Sequence, residues 1–344
     1  MAGAGLLRSG RIMGLVATGL DQTSAGRRRA CGAVMGLIST VPSHSTPKSM
    51  TSKKTKTSKA EFYDKEYNAR AGIPNYAEIV TRWQTDSEIA RQRAVSIGRD
   101  LRYGPHPEET LDLFRAARSD SPLLVFIHGG YWRAIHKNDF SWVAPNLVAA
   151  GVSVAVVNYA LVPSVKMETI VQQNLRAIAW LWDHADMLGF NRDRIVVAGH
   201  SAGGHLTGMM SAADWTDYRN DLPVDVVKAG VAISGLFDLR PIKEAPFLNV
   251  DLKLTTKRAV KMSPALMSPR HRMPLVCAVG EIESSEFHRQ ARLMTSARPN
   301  QDARYYAIPG AHHMAAVDAL VEPGHPLFET TLRLCHRGGN ASVG

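Results

Sequence analysis

Residues 194–203 read Arg-Ile-Val-Val-Ala-Gly-His-Ser-Ala-Gly, an apolar run that leads into a serine flanked by glycines. The run Ile195–Ala198 is typical of a buried strand, and Gly203–Ala213 after it has the pattern of a helix. Gly199–Gly203 has the form G-x-S-x-G, in which Ser201 occupies a strained turn between strand and helix. Glycines on either side allow the backbone to pass close to its neighbours. The segment therefore predicts a nucleophilic serine whose hydroxyl projects from one end of a sheet.

A glycine pair upstream of the serine predicts a binding site for a negative oxygen. His128-Gly129-Gly130-Tyr131-Trp132 follows the apolar run Leu123–Ile127, which is typical of a strand. Two glycines after a strand leave backbone N–H groups free to point into a site, and a helix N-terminus adds positive potential there. We therefore expect the N–H groups of Gly129, Gly130 and Ala202 to form an oxyanion hole.

The general base is expected after the last predicted strand, because a serine in this setting is followed along the chain by its acid and then by its histidine. The loop after Arg304–Ile308 contains two adjacent histidines, His312 and His313. Both remain candidates on this pattern, and we favour His313. Three other histidines belong to elements in which packing or hydrogen bonding is the expected role: His128, His200 and His205.

Three carboxylates compete for the role of the acid that orients this histidine. Glu281 and Glu283 lie in the loop after the predicted strand Leu275–Val279, and Asp238 follows the preceding strand. Aspartate is commoner in this role, but glutamate also serves. We favour Glu283, with Glu281 second and Asp238 third.

Apolar runs alternate with helical patterns through most of the chain. The predicted strands are Leu123–His128, Val152–Asn158, Arg194–Gly199, Ala229–Ser234, Leu275–Gly280 and Arg304–Ile308. Residues 61–100 look helical, and further helices are predicted at Glu168–Ala185, Gly203–Ala213 and Glu286–Arg298. Uninterrupted Val, Ile and Leu runs are typical of strands buried on both faces. The class predicted is α/β, with one catalytic domain over 61–335 that has the α/β-hydrolase fold, a mostly parallel central sheet and helices on both faces.

The charge of the chain is concentrated in its first residues. The net charge is +10, but residues 1–60 hold ten lysines and arginines and one acid, which leaves +1 for the remainder. A basic face for nucleic acid is therefore not expected. No apolar run approaches the roughly 18 residues that a membrane span needs. The three cysteines, Cys31, Cys277 and Cys335, form no disulfide or zinc pattern, and neither a metal nor an organic cofactor is expected.

Residues 1–58 are predicted to be a disordered basic extension, since they are rich in Gly, Ser, Thr and Arg and lack a core pattern. One explanation is sequence upstream of a start at Met50, which leaves a cytoplasmic protein. The other is a mitochondrial transit peptide, which would also be rich in arginine and poor in acids. A secretory signal fits less well, because the apolar stretch Met13–Leu20 is short and interrupted.

The motifs resemble those of the arylformamidase (kynurenine formamidase) group of α/β-hydrolases, relatives of the hormone-sensitive-lipase-like esterases. The similar stretches are His128–Trp132, Gly199–Leu206, Ala213–Trp215, Ser234–Leu239 with Pro241 and Ile242, and Ser285–Gln290. The resemblance implies Ser201 as nucleophile, His313 as base and Glu283 as acid, at a position where the family usually has aspartate. It also implies that Gly129, Gly130 and Ala202 donate to the oxyanion.

The activity that this resemblance implies is hydrolysis of N-formyl-L-kynurenine to L-kynurenine and formate, through a formyl-enzyme on Ser201 and without a cofactor. A carboxylesterase or amidase acting on short acyl esters would use the same triad and remains the alternative. The partner is in either case a small molecule, and a homodimer is left open. Aromatic residues near the glycine turns are expected to bind an aryl group: Tyr131, Trp132, Trp215 and Phe237.

Overall fold

An eight-stranded sheet runs through the part of the chain that the computed structural model describes, residues 57–269, 271–299 and 302–337. The predicted extension 1–58 lies outside these residues except for its last two, so the boundaries 1–58 and 61–335 stay predictions. In chain order the strands are β1 (Ile97–Arg102), β2 (Thr110–Phe114), β3 (Leu123–Ile127), β4 (Ser153–Val157), β5 (Ile195–His200), β6 (Ala229–Ile233), β7 (Leu275–Gly280) and β8 (Ala303–Ile308).

The strand order across the sheet is β1-β2-β4-β3-β5-β6-β7-β8. The pairs β1–β2 and β2–β4 are antiparallel, whereas all other neighbours are parallel. This mostly parallel sheet confirms the predicted fold class. The carboxyl ends of parallel strands meet at one edge of a sheet, where ligands usually bind. The loops that follow β3, β5, β7 and β8 are therefore close in space although they are far apart along the chain.

Helices cover both faces of this sheet. They are α1 (Lys59–Tyr67), α2 (Tyr76–Arg93), α3 (Ala144–Ala149), α4 (Met167–Leu188), α5 (Ala202–Ala212), α6 (Trp215–Tyr218), α7 (Arg240–Lys243), α8 (Pro246–Leu252), α9 (Thr256–Lys261), α10 (Ser285–Ser296) and α11 (Pro326–Arg337). Within the described ranges, none of them combines the length and the hydropathy that a membrane span requires.

Alternate residues of each central strand enter two separate apolar cores. In β3, Val125 and Ile127 pack in the core that includes Leu206 of α5, whereas Leu124 and Phe126 pack in the other. The first core also holds α4 and α10, and the second holds α2, α3 and α11. Because both faces are covered, these strands are apolar throughout, which is why they could be predicted from continuous apolar runs.

The antiparallel pair β1–β2 is the part of the sheet that the sequence prediction missed. Residues 61–100 were expected to be helical, but α2 ends at Arg93 and β1 begins at Ile97. The strand reads Ile-Gly-Arg-Asp-Leu-Arg and is partly exposed along its whole length. An edge strand of this kind lacks the continuous apolar run that marks a strand buried on both faces, so its sequence carries little signal.

The loop after β3 is anchored to the antiparallel part of the sheet by a buried lysine. The side chain of Lys137 is 1% exposed, and its Nζ lies 2.6 Å from Asp112 Oδ1 and 2.8 Å from Asp100 Oδ1. Its backbone N–H donates to Asn158 Oδ1 at 3.2 Å. Burying a charge without such partners is costly. We call residues 128–137 the glycine loop. The Lys137–Asp112 ion pair therefore holds the end of this loop in place.

Replacement of Lys137 by methionine is expected to lower the free energy of unfolding by about 3–5 kcal/mol, because Asp112 then stays buried without its cation. The double variant Lys137→Met/Asp112→Asn should regain most of this loss, since it removes the unpaired charge. Urea denaturation of the wild type and both variants measures the difference. Equal stability of the wild type and Lys137→Met would contradict the anchoring role.

Candidate active site

Ser201 lies at the turn between β5 and α5 in a strained backbone conformation, with φ 58° and ψ −115°. Its N–H donates to the carbonyl oxygen of Ile233 at 2.8 Å, which ties the turn to β6. At Gly203 an added Cβ would lie 1.9 Å from the Ile127 carbonyl oxygen, so a side chain there would push α5 away from β3. Strain of this kind persists only where the surrounding structure enforces it, and it is common at active sites.

The structure brings His313 and Glu283 together. His313 Nδ1 lies 2.6 Å from Glu283 Oε2, and both side chains are almost completely buried. An ionised carboxylate only accepts hydrogen bonds, so the proton of a neutral imidazole is on Nδ1 and the Nε2 lone pair is free. This is the tautomer that a general base requires.

The second oxygen of Glu283 is held by two further donors. Ser234 Oγ donates to Glu283 Oε1 at 2.5 Å, and the N–H of Gly280 donates to the same oxygen at 2.7 Å. Hydrogen bonds to a charged acceptor are stronger than those between neutral groups. The carboxylate is thus fixed at the carboxyl end of β7, and the orientation of His313 follows from it.

The competing candidates lie elsewhere. Glu281 is exposed and its Oε2 accepts a hydrogen bond from the N–H of Gly310 at 2.8 Å. Asp238 forms an ion pair with Arg240, with 2.9 Å between Oδ2 and Nη2. His312 Nδ1 accepts from the N–H of Ala315 at 3.1 Å, a local contact within its own turn.

A second histidine supports His313 through its backbone. His200 Nε2 donates to the His313 carbonyl oxygen at 2.8 Å, and the two rings are 4.8 Å apart. Burial, together with the neighbouring His313, holds the pKa of His200 well below its usual value. His200 is therefore neutral at physiological pH and acts as a hydrogen-bond donor in the wall of the site, the kind of role expected for it.

The remaining two histidines of the motifs also have structural contacts. His205 Nε2 donates to the Met262 carbonyl oxygen at 2.8 Å, and burial lowers its pKa to about 4. His128 is stacked on Tyr159 with ring centroids 4.2 Å apart, and burial lowers its pKa to about 4 as well. Both stay uncharged near neutral pH, so neither adds positive charge beside Ser201.

The glycine pair after β3 lies directly beside the serine. An added Cβ at Gly129 would be 3.2 Å from Ser201 Cβ, and Gly130 has φ +95°, a conformation that favours glycine. Among the described residues, no acceptor is hydrogen-bonded to the backbone N–H groups of Gly129, Gly130 or Ala202. These three donors are available to a ligand oxygen, and their role as an oxyanion hole stays a prediction.

A small cavity of about 40 Å³ joins these groups. Its wall includes Ser201, His313, Gly129 and Gly130, together with Tyr131. Ligand sites usually measure roughly 300–1,000 Å³, so this volume holds only a few atoms. A larger substrate therefore fits only after residues of the cavity wall have moved. The remaining wall residues are Ala69, Arg70, Tyr76, Trp83, Ile135, Phe140, His200 and Met314.

Of the four aromatic residues expected to bind an aryl group, only Tyr131 lines this cavity. Trp132 is fully buried, and its Nε1 donates to His205 Nδ1 at 3.2 Å. Trp215 and Phe237 are also buried in the first core. Their placement corrects the expectation of an aryl-binding wall built from these three residues. Large apolar side chains stabilise a core by complete burial, and that contribution is what they supply.

The other aromatic residues that line the cavity come from outside the serine motif and the glycine pair. Tyr76 and Trp83 belong to α2, and Phe140 follows the glycine loop. The sequence indicated only that residues 61–100 are helical. It does not reveal that α2 packs through Trp83 on Phe140 and Trp142, because that contact is between distant segments.

The end of α1 is tied to two loops of the site. The Tyr67 hydroxyl donates to Glu286 Oε2 at 2.6 Å, and Ser284 Oγ donates to the Glu66 carbonyl oxygen at 2.6 Å. The Tyr131 hydroxyl donates to the Tyr67 carbonyl oxygen at 2.5 Å. The covering segment, which runs from α1 to the end of α2 (residues 59–93), is thus held through α1 beside the start of α10 and beside Tyr131 of the glycine loop.

The arrangement can transfer an acyl group. A serine hydroxyl, an imidazole oriented by a carboxylate, and unpaired N–H donors are the parts that nucleophilic attack on a carbonyl requires. Within the described ranges, no group of three or more His, Cys, Asp or Glu residues is arranged to hold a metal. Cys277 and Cys335 are buried, and burial raises the pKa of the Cys277 thiol to about 12, so this thiol is not a nucleophile near neutral pH.

Comparison with known proteins relates this chain to kynurenine formamidases and esterases. A family model described as BD-FAE matches residues 111–266. The kynurenine formamidase of Salmo salar is 28% identical over 266 residues, which cover 74% of this chain and 87% of that protein. The esterase LipC of Mycobacterium tuberculosis is 28% identical over 278 residues, covering 71% and 68% respectively.

Solved structures agree with these relatives. A provisionally assigned thioesterase from Silicibacter sp. is 30% identical, with a TM-score of 0.68, and the match covers 76% of this chain and 95% of that protein. The esterase of Pyrobaculum calidifontis is 18% identical, with a TM-score of 0.62 and coverage of 78% and 92%. At that identity the second likeness supports the fold alone.

Glu283→Gln is expected to slow labelling of Ser201 by a fluorophosphonate roughly 10²- to 10⁴-fold, because the imidazole loses its charged orienting partner. Mass spectrometry of the labelled protein measures the rate. The matched control is Glu281→Gln, two residues away on an exposed side chain, and it should leave the rate unchanged. Equal rates in the two variants would exclude Glu283 as the orienting acid.

Proposed function

Because the chain belongs to the arylformamidase-like group of α/β-hydrolases, we propose that it hydrolyses N-formyl-L-kynurenine to L-kynurenine and formate. It is a serine hydrolase that acts on a small molecule, and the identity of that molecule is the step we propose. The 2.6 Å contact between Glu283 and His313, whose ring lines a small cavity with Ser201, supports the reaction class. The similarity to the kynurenine formamidase of Salmo salar supports the choice of substrate.

In the first half of the proposed reaction, His313 Nε2 accepts the proton of Ser201 Oγ as the oxygen attacks the formyl carbon. The N–H groups of Gly129, Gly130 and Ala202 stabilise the negative oxygen of the tetrahedral intermediate. When this intermediate collapses, the C–N bond breaks and His313 gives its proton to the leaving aryl amine. The product at this stage is a formyl ester on Ser201.

In the second half, His313 accepts a proton from water, and the hydroxide oxygen attacks the formyl ester. The intermediate collapses to formic acid as His313 returns the proton to Ser201 Oγ, and the acid then releases its own proton to water to give formate. Glu283 remains ionised throughout and stabilises the imidazolium that forms in each half.

The size of the cavity favours a small acyl group. A volume of about 40 Å³ accommodates a formyl or an acetyl group beside Ser201, whereas a long acyl chain exceeds it. The rings of Tyr76, Tyr131 and Phe140 offer apolar surface to an aryl leaving group once the covering segment has moved.

A carboxylesterase or amidase acting on short acyl esters is the second candidate. The same small cavity suits an acetyl ester, and LipC is an esterase of similar sequence. The two functions differ in the leaving group, an aryl amine or an alcohol, and share every residue of the triad. Kinetics on paired substrates therefore separates them. A homodimer and a cytoplasmic or mitochondrial location stay predictions of the sequence.

We expect the wild type to hydrolyse N-formylkynurenine with a higher kcat/KM than p-nitrophenyl acetate, and Ser201→Ala to lose both activities. A residual rate of roughly 10³–10⁴ over water is the most that binding and the oxyanion donors supply without the triad. Steady-state absorbance assays on both substrates make the comparison.

Ser211→Ala is the matched control, because Ser211 is a buried serine within α5 whose hydroxyl donates to the Gly208 carbonyl oxygen. It should retain both activities. Turnover of the ester alone would favour the second candidate. Full activity in Ser201→Ala would contradict the assignment of the nucleophile.

A further inference from the structure

Arg70 lies in the segment between α1 and α2 and lines the cavity that contains Ser201 and His313. It is the one lysine, arginine, aspartate or glutamate among the described residues of that wall. The other wall residues are apolar, aromatic, glycine, serine or histidine. Arg70 is exposed, and it carries the one formal charge in the wall of this cavity, whereas Glu283 lies behind His313.

The guanidinium of Arg70 has N–H groups that are available to a ligand. Its central carbon lies 4.8 Å from the centroid of the Tyr76 ring, so the side chain rests on another member of the cavity wall. Among the residues that the structure describes, no carboxylate forms an ion pair with it. Arg82, by contrast, has a carboxylate partner, because its Nη2 donates to both carboxylate oxygens of Asp318. Stacking on an aromatic ring leaves the N–H groups at the edge of a guanidinium available.

We propose that Arg70 binds a carboxylate of the substrate, and that the enzyme is selective for aryl formamides or esters that carry this anion. The planar fork of a guanidinium matches a carboxylate with two parallel hydrogen bonds. The inference deepens the proposed function and rests on it in one respect: the amino-acid end of N-formylkynurenine supplies such a carboxylate, separated from the formamide by the aryl ring.

The place of Arg70 also predicts which kinetic constant it affects. Arg70 belongs to the covering segment, and in the proposed function it binds a group of the substrate that does not react. The oxyanion is assigned to Gly129, Gly130 and Ala202 instead. A contact made equally in the bound substrate and in the transition state lowers KM and leaves kcat unchanged. We therefore expect Arg70 to act through KM.

The test compares N-formylkynurenine with its carboxamide, which keeps the formamide and the ring but removes the negative charge. In the wild type, kcat/KM should be higher for the acid. Arg70→Met should lower the acid-to-carboxamide ratio roughly 10- to 100-fold, the range for loss of charge-assisted hydrogen bonds. The loss should appear mainly in KM, and Arg70→Lys should recover part of it because it restores the charge without the fork.

Lys65→Met is the matched control. Lys65 lies in the last turn of α1, is exposed and does not line the cavity, so its loss changes the net charge equally. It should leave the ratio at the wild-type value. An unchanged ratio in Arg70→Met would overturn the proposal, and so would an equal fall in Lys65→Met, which would indicate a general effect of charge.

The design separates this proposal from the proposed function. If the wild type hydrolyses neither formamide, that function fails, and the same ratio is then measured with 3-acetoxybenzoate and 3-acetoxybenzamide. A preference for the anionic ester that Arg70→Met abolishes supports the role of Arg70 in an esterase. No preference for the anion in either pair of substrates overturns it.

Discussion

The first turn of α5 packs directly against the backbone at the end of β3, and the arrangement of the site depends on this contact. Only a glycine at position 203 permits it, because a Cβ there would overlap the Ile127 carbonyl oxygen. The approach holds Ser201 beside Gly129, so the nucleophile and the N–H donors lie next to each other. Pairing of β3 with β5 in parallel register supports the same geometry, since both strands end at one edge of the sheet.

Burial makes the polar groups around the serine depend on hydrogen bonds from the protein. Glu283 is inside the protein, and its carboxylate is stabilised by Ser234, Gly280 and His313. Because one of these three donors is the imidazole, the tautomer of His313 is fixed by the need to solvate a buried charge. His200 stays neutral because burial removes the water that would stabilise its cation.

In the proposed function, the segment from α1 to α2 both controls access to Ser201 and binds the substrate. It covers the serine with Tyr76 and Trp83, and it carries Arg70. Its first helix is tied through Tyr67 to α10 and to the glycine loop. In the proposed function, the triad carries out the reaction, whereas this covering segment selects the substrate by its size and its charge.

The sequence by itself determined the features that have a local cause. The elbow at Gly199–Gly203, the glycine pair after β3 and the strands buried on both faces each follow from a short stretch of residues. It left open choices between neighbours such as His312 and His313, or Glu281 and Glu283, and it missed β1 and the aromatic cover from α2. Trp132 and Tyr131 are adjacent in the chain, yet one is in the core and the other lines the cavity. Only the tertiary structure decided these cases, because the side of a loop that faces the site depends on packing between segments that are distant in sequence.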